Sequence, residues 1–186
     1  VVITNASNCP YTGVTTVVVN AIPPPTIATN GPLCVNEILS LTGSGGVTYF
    51  WSGPNGFISS SQTPTILANT VAYSGNYSLT ATDANGCSGT TQMNVIVNPL
   101  PTAAISEVNN TGCSPVCTSF NVSGTGIVSA SWTLGDGSFS NGISVGPHCY
   151  SIPGIYTVNV VVTDANGCTG SNTNTVEVYP VPVADF

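Results

Sequence analysis

Asp164-Ala165-Asn166-Gly167-Cys168 repeats, residue for residue, Asp83-Ala84-Asn85-Gly86-Cys87, and Asn5-Ala6-Ser7-Asn8-Cys9 is a looser copy. Each is followed by a polar Thr/Ser/Asn stretch, a Val-rich alternating run and, fourteen residues past the cysteine, a proline: Pro23, Pro101 and Pro182. Asn and Gly tolerate positive φ, so the phrase is a tight-turn signal. The alternation beyond it marks half-buried strands. A cysteine spacing of about 80 residues, filled with strand and turn signals, is too long for a short-period solenoid and predicts tandem small β-domains.

Working outward from that phrase, residues 1–23 read as the last two strands of a preceding repeat. Residues 24–101 form one complete β-sandwich and 102–182 a second, and residues 183–186 open the next. Ile38-Leu39-Ser40-Leu41, Val47 to Trp51, Tyr77 to Thr80 and Met93 to Val97 are the strand candidates of the first repeat. Phe120-Asn121-Val122, Ala130 to Leu134 and Ile155 to Val162 are those of the second. They are short, β-branched or aromatic, and set between Gly, Pro and Asn. No stretch has capped helical periodicity. The prolines at 23–25, 99–101 and 180–182 stiffen the junctions, which predicts an elongated end-to-end array. No initiator Met, signal-peptide core or bilayer-length apolar run is present, so targeting segments are expected outside this window.

The 186 residues include no Lys and no Arg, and seven acidic groups set the formal net charge at −7. Charged residues make up 4% of the chain, against about 25% in ordinary domains. Nothing can neutralise phosphates, which excludes nucleic acid as a partner, and polybasic attraction to anionic membranes is excluded with it. No membrane insertion is expected. Disorder is opposed by a content of 41% hydrophobic residues. Apolar burial, backbone ladders and disulfides must hold the fold.

Seven cysteines point to an oxidising compartment. The matched spacings suggest Cys34 with Cys87 and Cys113 with Cys168. Elimination then pairs Cys117 with Cys149 and leaves Cys9 for a partner upstream. A zinc site from Cys113, Cys117, His148 and Cys149 is the competing reading, disfavoured by the lack of CxxC pairs.

Trp132-Thr133-Leu134-Gly135-Asp136-Gly137-Ser138, then Pro147-His148-Cys149-Tyr150, Pro153-Gly154-Ile155-Tyr156-Thr157-Val158 and Thr163-Asp164 resemble the PKD domain, an Ig-like β-sandwich. Leu134 stands where that family usually has Phe. Residues 24–101 keep Cys34, Trp51, Tyr77 and the Asp-Ala-Asn-Gly-Cys turn but lack Gly-Asp-Gly and His-x-Tyr, so they resemble a related Ig-like repeat. The mixture, with its Asn-Pro-Leu-Pro junction, resembles tandem repeat regions of giant bacterial surface adhesins and filament proteins exported by type IX secretion. The resemblance implies structural roles for Gly135, Asp136, Gly137, His148 and Tyr150. It also implies extracellular placement on a cell surface.

Candidate chemistry is sparse. Ser138, Asp136 and the lone His148 invite a triad reading. No oxyanion loop accompanies them, and the carboxylates Glu37, Asp83, Glu107, Asp136, Asp164, Glu177 and Asp185 are scattered singly, so no enzyme is expected. No cofactor is expected either. Asp83 and Asp164 are weak calcium candidates, because a hard cation wants several carboxylates and a plain Asp turn explains both. Trp51 and Trp132 could stack on sugars if exposed, but a Trp on the third strand of such a sandwich is ordinarily core. Tyr77 and Tyr156 occupy the tyrosine-corner position. Asn5, Asn76, Asn109 and Asn121 begin N-x-S/T sequons.

The expected function is structural. The segment reads as part of a long extracellular fibre or adhesin whose partners are further repeats of the same chain, a surface or glycan target, and copies of itself packed laterally. Charged guards on strand edges are missing, which favours that homo-oligomer. The alternative is a spacer or carbohydrate-binding accessory region of a secreted hydrolase.

Overall fold

The computed structural model describes residues 1–184. Asp185 and Phe186, part of the expected opening of a further repeat, lie outside the described residues. In chain order the strands are β1 (Val2–Thr4), β2 (Pro10–Thr12), β3 (Thr26–Thr29), β4 (Leu33–Cys34), β5 (Glu37–Ser44), β6 (Thr48–Ser52), β7 (Ile58–Ser59), β8 (Thr65–Ala68), β9 (Gly75–Thr82) and β10 (Ser88–Val95). They continue as β11 (Val97–Asn98), β12 (Ala104–Val108), β13 (Thr111–Cys113), β14 (Val116–Ser123), β15 (Ser129–Thr133), β16 (Phe139–Asn141), β17 (Ser144–Tyr150), β18 (Gly154–Thr163) and β19 (Thr169–Tyr179). Among the described residues helix is confined to two 3-10 turns, Pro54–Gly56 and Val71–Tyr73. The chain is all-β, as its alternating runs predict, and every strand candidate named above overlaps a strand.

By contacts the chain divides into two compact units. The first comprises Val1–Thr29, Ser40–Thr65 and Asn76–Asn94. Here β1 and β2 make a small antiparallel hairpin. Leu41, Trp51, Tyr77, Leu79 and Ala81 are buried. A Cβ on Gly43 would stand 2.9 Å from both Leu79 and Trp51, so β5 lies hard against the β6–β9 sheet and this strand position has no room for a side chain. The Trp51 Nε1–H donates to the Ser61 carbonyl at 2.8 Å, satisfying the indole's one polar atom.

The second unit comprises Asn30–Leu39, Ile66–Gly75 and the chain from Val95 onward. Its main body is a sandwich of a three-stranded sheet, β12-β14-β17, and a five-stranded sheet, β13-β19-β18-β15-β16. Ladders are antiparallel except β13–β19. Phe120, Val122, Trp132, Leu134, Tyr150, Val158, Val160, Val162 and Val176 fill the space between the sheets. Inward Val158, Val160 and Val162 alternate with outward Thr157, Asn159 and Val161, the period-2 pattern of a sheet with one wet face. Trp132 meets Phe120 at 5.8 Å between ring centroids, and its Nε1–H donates to the Gly142 carbonyl at 2.9 Å.

Two disulfides are formed. Cys117 and Cys149 face each other on paired strands β14 and β17, as expected. Cys34, however, bonds Cys168, which corrects the expected pairs Cys34–Cys87 and Cys113–Cys168. Cys34 on β4 pairs with Asn98, the residue before Pro99. Cys168 ends the turn into β19, and two residues on, a Cβ at Gly170 would collide with the Pro101 carbonyl oxygen. Both half-cystines therefore border the Pro99–Pro101 junction. The turn of Cys87 borders another junction, because the same collision at Gly89 is with the Pro23 carbonyl. Cys9, Cys87 and Cys113 are unbonded.

Trp132→Ala is expected to lower unfolding free energy by about 3–5 kcal/mol, and Trp132→Phe by about 1–3 kcal/mol, since it keeps a ring in the core and forfeits the bond to Gly142. Urea unfolding followed by far-UV circular dichroism measures both, and a Trp132→Phe variant as stable as the wild type would refute the role given to the indole N–H.

Candidate functional site

The turn between β15 and β16 meets strand β17 at Asp136, His148 and Tyr150. The Leu134 N–H donates to the Ser138 carbonyl at 2.9 Å, closing the turn. Gly135 has φ 85°, and a Cβ there would stand 2.7 Å from the Thr157 carbonyl oxygen, so both conformation and space demand glycine. Oδ1 of Asp136 accepts the Ser138 backbone N–H at 2.9 Å, and Oδ2 lies 2.7 Å from Nε2 of His148 on β17.

Two residues along β17, the Tyr150 hydroxyl donates to the Leu134 carbonyl at 2.8 Å, fastening the three-stranded sheet to the turn. The His148 and Tyr150 rings meet edge to face at 4.7 Å, and Tyr150 lies 4.5 Å from Tyr156. The Tyr156 hydroxyl donates to the Ile152 carbonyl at 2.7 Å. Asp136, His148, Tyr150 and Tyr156 thus form one continuous bracket.

Burial works against ionisation of Asp136, but hydrogen bonds from the Ser138 backbone, from His148 and from the Ser138 hydroxyl outweigh it and hold the carboxyl below its ordinary range. Burial pushes the Tyr150 phenol far above its ordinary range, aided by the charges of Asp136 and Tyr156. The order of contacts is Ser138, Asp136, His148, with the acid in the middle. A nucleophilic triad needs the imidazole between serine and acid, so that it can take the hydroxyl proton. The carboxylate here is turned to closing a loop and holding a ring.

Asp83 and Asp164 do the same work at their own turns. Oδ1 of Asp83 accepts the N–H groups of Asn85 and Cys87 at 2.9 and 2.8 Å; Oδ1 of Asp164 accepts those of Asn166 and Cys168, both at 2.8 Å. Among the described residues no three His, Cys, Asp or Glu side chains gather in a way that could hold a metal ion. Cys117 and Cys149, two members of the zinc reading, are spent on their disulfide. Trp51 and Trp132 are both closed in cores, at 0% and 1% exposure.

The outward face of the five-stranded sheet is mostly a ladder of short polar side chains, with Phe139 and Ile155 also exposed on it. Thr157 pairs with Thr175, Asn159 with Thr173, Val161 with Ser171 and Thr163 with Thr169, while β15 adds Ser131 and Thr133. Glu177, opposite Ile155, is the charge on this ladder. A groove of about 380 Å³ lies at its β15–β16 end, between Val128, Ser129, Ser131, Ile143, Val161 and Thr163. Sequence reading missed this face because its hydroxyl residues are unremarkable one at a time and become a surface only through strand register.

Residues 96–179 match the family model for the PKD domain. That segment is similar to the PKD domain, and the chain around it is all-β. No curated protein matches it. Among solved structures, the Ca2+-stabilized adhesin that helps an Antarctic bacterium reach out and bind ice is similar at TM-score 0.55 and 15% identity, over 87% of this chain and 50% of that one. At that identity the likeness shows the β-sandwich fold alone. Carbohydrate-binding modules of the β-sandwich superfamily align at 25% identity and TM-score 0.40, over 44% of this chain and 35% of theirs. The PKD1 domain of the Vibrio cholerae metalloprotease PrtV aligns at 24% identity and TM-score 0.37, over 42% of this chain and 96% of that domain. The chain spans about a third of the carbohydrate-binding structure and half of the adhesin structure.

A depressed carboxyl pKa stabilises the fold above the ordinary Asp range, and that contribution is lost as pH falls through the folded-state value. Asp136→Asn is therefore expected to cost about 1 kcal/mol at neutral pH and to flatten the acid limb of the stability curve. Thermal unfolding from pH 7 down to about pH 2 measures it, and an unchanged acid limb would remove the role given to Asp136.

Proposed function

We propose that this chain is a structural and interaction segment of a long extracellular repeat protein, with residues 24–101 and 102–182 as successive Ig-like and PKD units of a surface fibre or adhesin that self-associates laterally. The observation that carries the reading is the outward face of the five-stranded sheet, whose ladder bears charge at Glu177 and otherwise hydroxyl, amide and apolar groups. Sheet proteins commonly keep copies apart with charged side chains, Lys above all. This chain has no Lys, and hydroxyl and amide groups spaced by strand register can hydrogen-bond and pack against the same groups on a neighbour. Each contact is weak, but identical faces recurring along an array add through multivalency.

Two disulfides support an oxidising location. No helix among the described residues is long and apolar enough to cross a membrane. Export by a type IX route and attachment to a cell surface complete the proposal. So does the absence of catalysis, which the acid-centred order at Asp136 supports. His148→Ala is expected to lower stability and to change no chemical activity. Sugar stacking on Trp51 or Trp132 would require opening a core.

Electron microscopy of the unreduced protein at physiological salt tests lateral association. Regular bundles are expected for the wild type, and their loss for a Thr157→Lys, Thr173→Lys variant whose far-UV spectrum is unchanged. Solitary, unbundled wild-type strands would defeat the reading.

A further inference from the structure

The unbonded cysteines Cys87 and Cys113 each duplicate one half of a bond that the structure already contains. Cys34 and Cys113 are strand cysteines. Each sits on a short strand paired in parallel with the last strand of its repeat, opposite a residue that a proline follows: Asn98 before Pro99, Tyr179 before Pro180. The residue after each cysteine donates its N–H to the carbonyl of that same partner, Val35 to Asn98 and Ser114 to Tyr179, both at 2.9 Å.

Cys168 and Cys87 are turn cysteines. Asp164 N–H to Cys168 carbonyl is 3.0 Å, and Asp83 to Cys87 is 2.9 Å; Gly167 to Asp164 and Gly86 to Asp83 are both 3.2 Å. Gly86 and Gly167 share φ 84°. Cys9 closes a third turn of this kind, with Oδ1 of Asn5 accepting from Ser7 and Cys9 at 3.0 Å and Asn8 at φ 61° in the glycine's place. The bond between Cys34 and Cys168 thus joins the strand cysteine of one repeat to the turn cysteine of the next, with Cα atoms 5.6 Å apart. Cys113 is then a strand half without its turn, and Cys87 a turn half without its strand.

We propose that Cys87 and Cys113 are complementary half-cystines of a recurring inter-repeat disulfide, in which the strand cysteine of each repeat bonds the Asp-x-Asn-Gly-Cys turn of the repeat after it. Cys113 takes a turn cysteine of a following repeat and Cys87 a strand cysteine of a preceding one. The neighbour is a further repeat of this kind, in the same polypeptide or in a second copy; between two copies of the present chain, Cys113 of one meets Cys87 of the other. Each bond forms by thiolate attack on a disulfide-bearing oxidant, followed by displacement of that oxidant by the second thiolate. The cysteines lose two protons and two electrons, and the oxidant leaves as two thiols. Cys117–Cys149 stays outside the scheme, being closed across its own sheet.

This inference rests on the bond and turn geometry and not on lateral packing, and reduction separates the two. The full chain, isolated without reductant, is alkylated with iodoacetamide, cut with chymotrypsin and mapped by mass spectrometry. The expected result is loss of labelling at Cys87 and Cys113, with Cys113 linked to a turn peptide and Cys87 to a strand peptide. Electrophoresis without reductant then assigns the source: single-chain size places neighbours in one polypeptide, and a ladder that Cys113→Ser abolishes places them in separate copies. Labelled thiols at Cys87 and Cys113, turn-to-turn or strand-to-strand links, or Cys34–Cys87 and Cys113–Cys168 peptides would overturn the inference. Bundles that persist after reduction bear on lateral association alone.

Discussion

One carboxylate oxygen accepting two backbone N–H groups sets the geometry on which most of this protein turns. In the loop between β18 and β19, Oδ1 of Asp164 fixes Asn166 and Cys168, and Gly167 supplies the positive φ that the reversal needs. The closed turn starts the longest ladder of the molecule, from Thr163↔Thr169 to Gly154↔Val178. A register slip of one residue would carry Val158, Val160 and Val162 out of the core. The same turn delivers Cys168 to Cys34 and seats Gly170 on Pro101. The head of the ladder, the seat of Gly170 on Pro101 and the cross-link all lie beside a single hydrogen-bond acceptor.

A chain without Lys or Arg has few other places to use charge. His148 with Asp136 is the pair able to become ionic among the described residues, and it is partly exposed, so its energetic weight is small. Polar side chains are instead satisfied locally: indole N–H groups reach carbonyls, Tyr hydroxyls reach carbonyls, and among the described residues no buried side-chain nitrogen or oxygen lacks a partner. Stability then falls to apolar burial and to ladders, neither of which depends strongly on salt. The surface left over is hydroxyl and amide together with exposed apolar side chains such as Ile58, Phe139, Ile152 and Ile155.

The all-β class was legible from period-2 alternation and turn signals, whereas the structural cast of Trp132, Asp136, His148, Tyr150 and Tyr156 came only with the resemblance to the PKD domain and Ig-like sandwiches. Cys117–Cys149 is formed as expected, although the elimination that gave it rested on two pairs that are not formed. The pairing of Cys34 was not legible, for a reason inherent in repeats. A strand cysteine has a turn cysteine at a fixed offset in its own repeat and another, one period on, in the next, and periodic spacing cannot choose between them. What chooses is the parallel pairing of β4 with β11, two residues each, which brings Cys34 beside the Pro99–Pro101 junction. Pairings that short, between strands far apart in sequence, leave no periodicity to read. Glu37, whose Oε2 accepts the Cys34 N–H at 2.8 Å, was equally silent.

The placement of the two disulfides divides mechanical labour. Cys117 and Cys149 are opposite one another within a sheet, so their bond reinforces a ladder that β14 and β17 already make. Cys34 and Cys168 are 134 residues apart and flank a three-residue proline junction whose only ladder support from β4 is the two-residue pairing with β11. Tension applied through Pro99–Pro101 would peel so short a ladder before it reached the ten-residue pairing of β18 with β19. The covalent bond from β4 to the head of that longer ladder ties a two-residue pairing to the ten-residue pairing of β18 with β19.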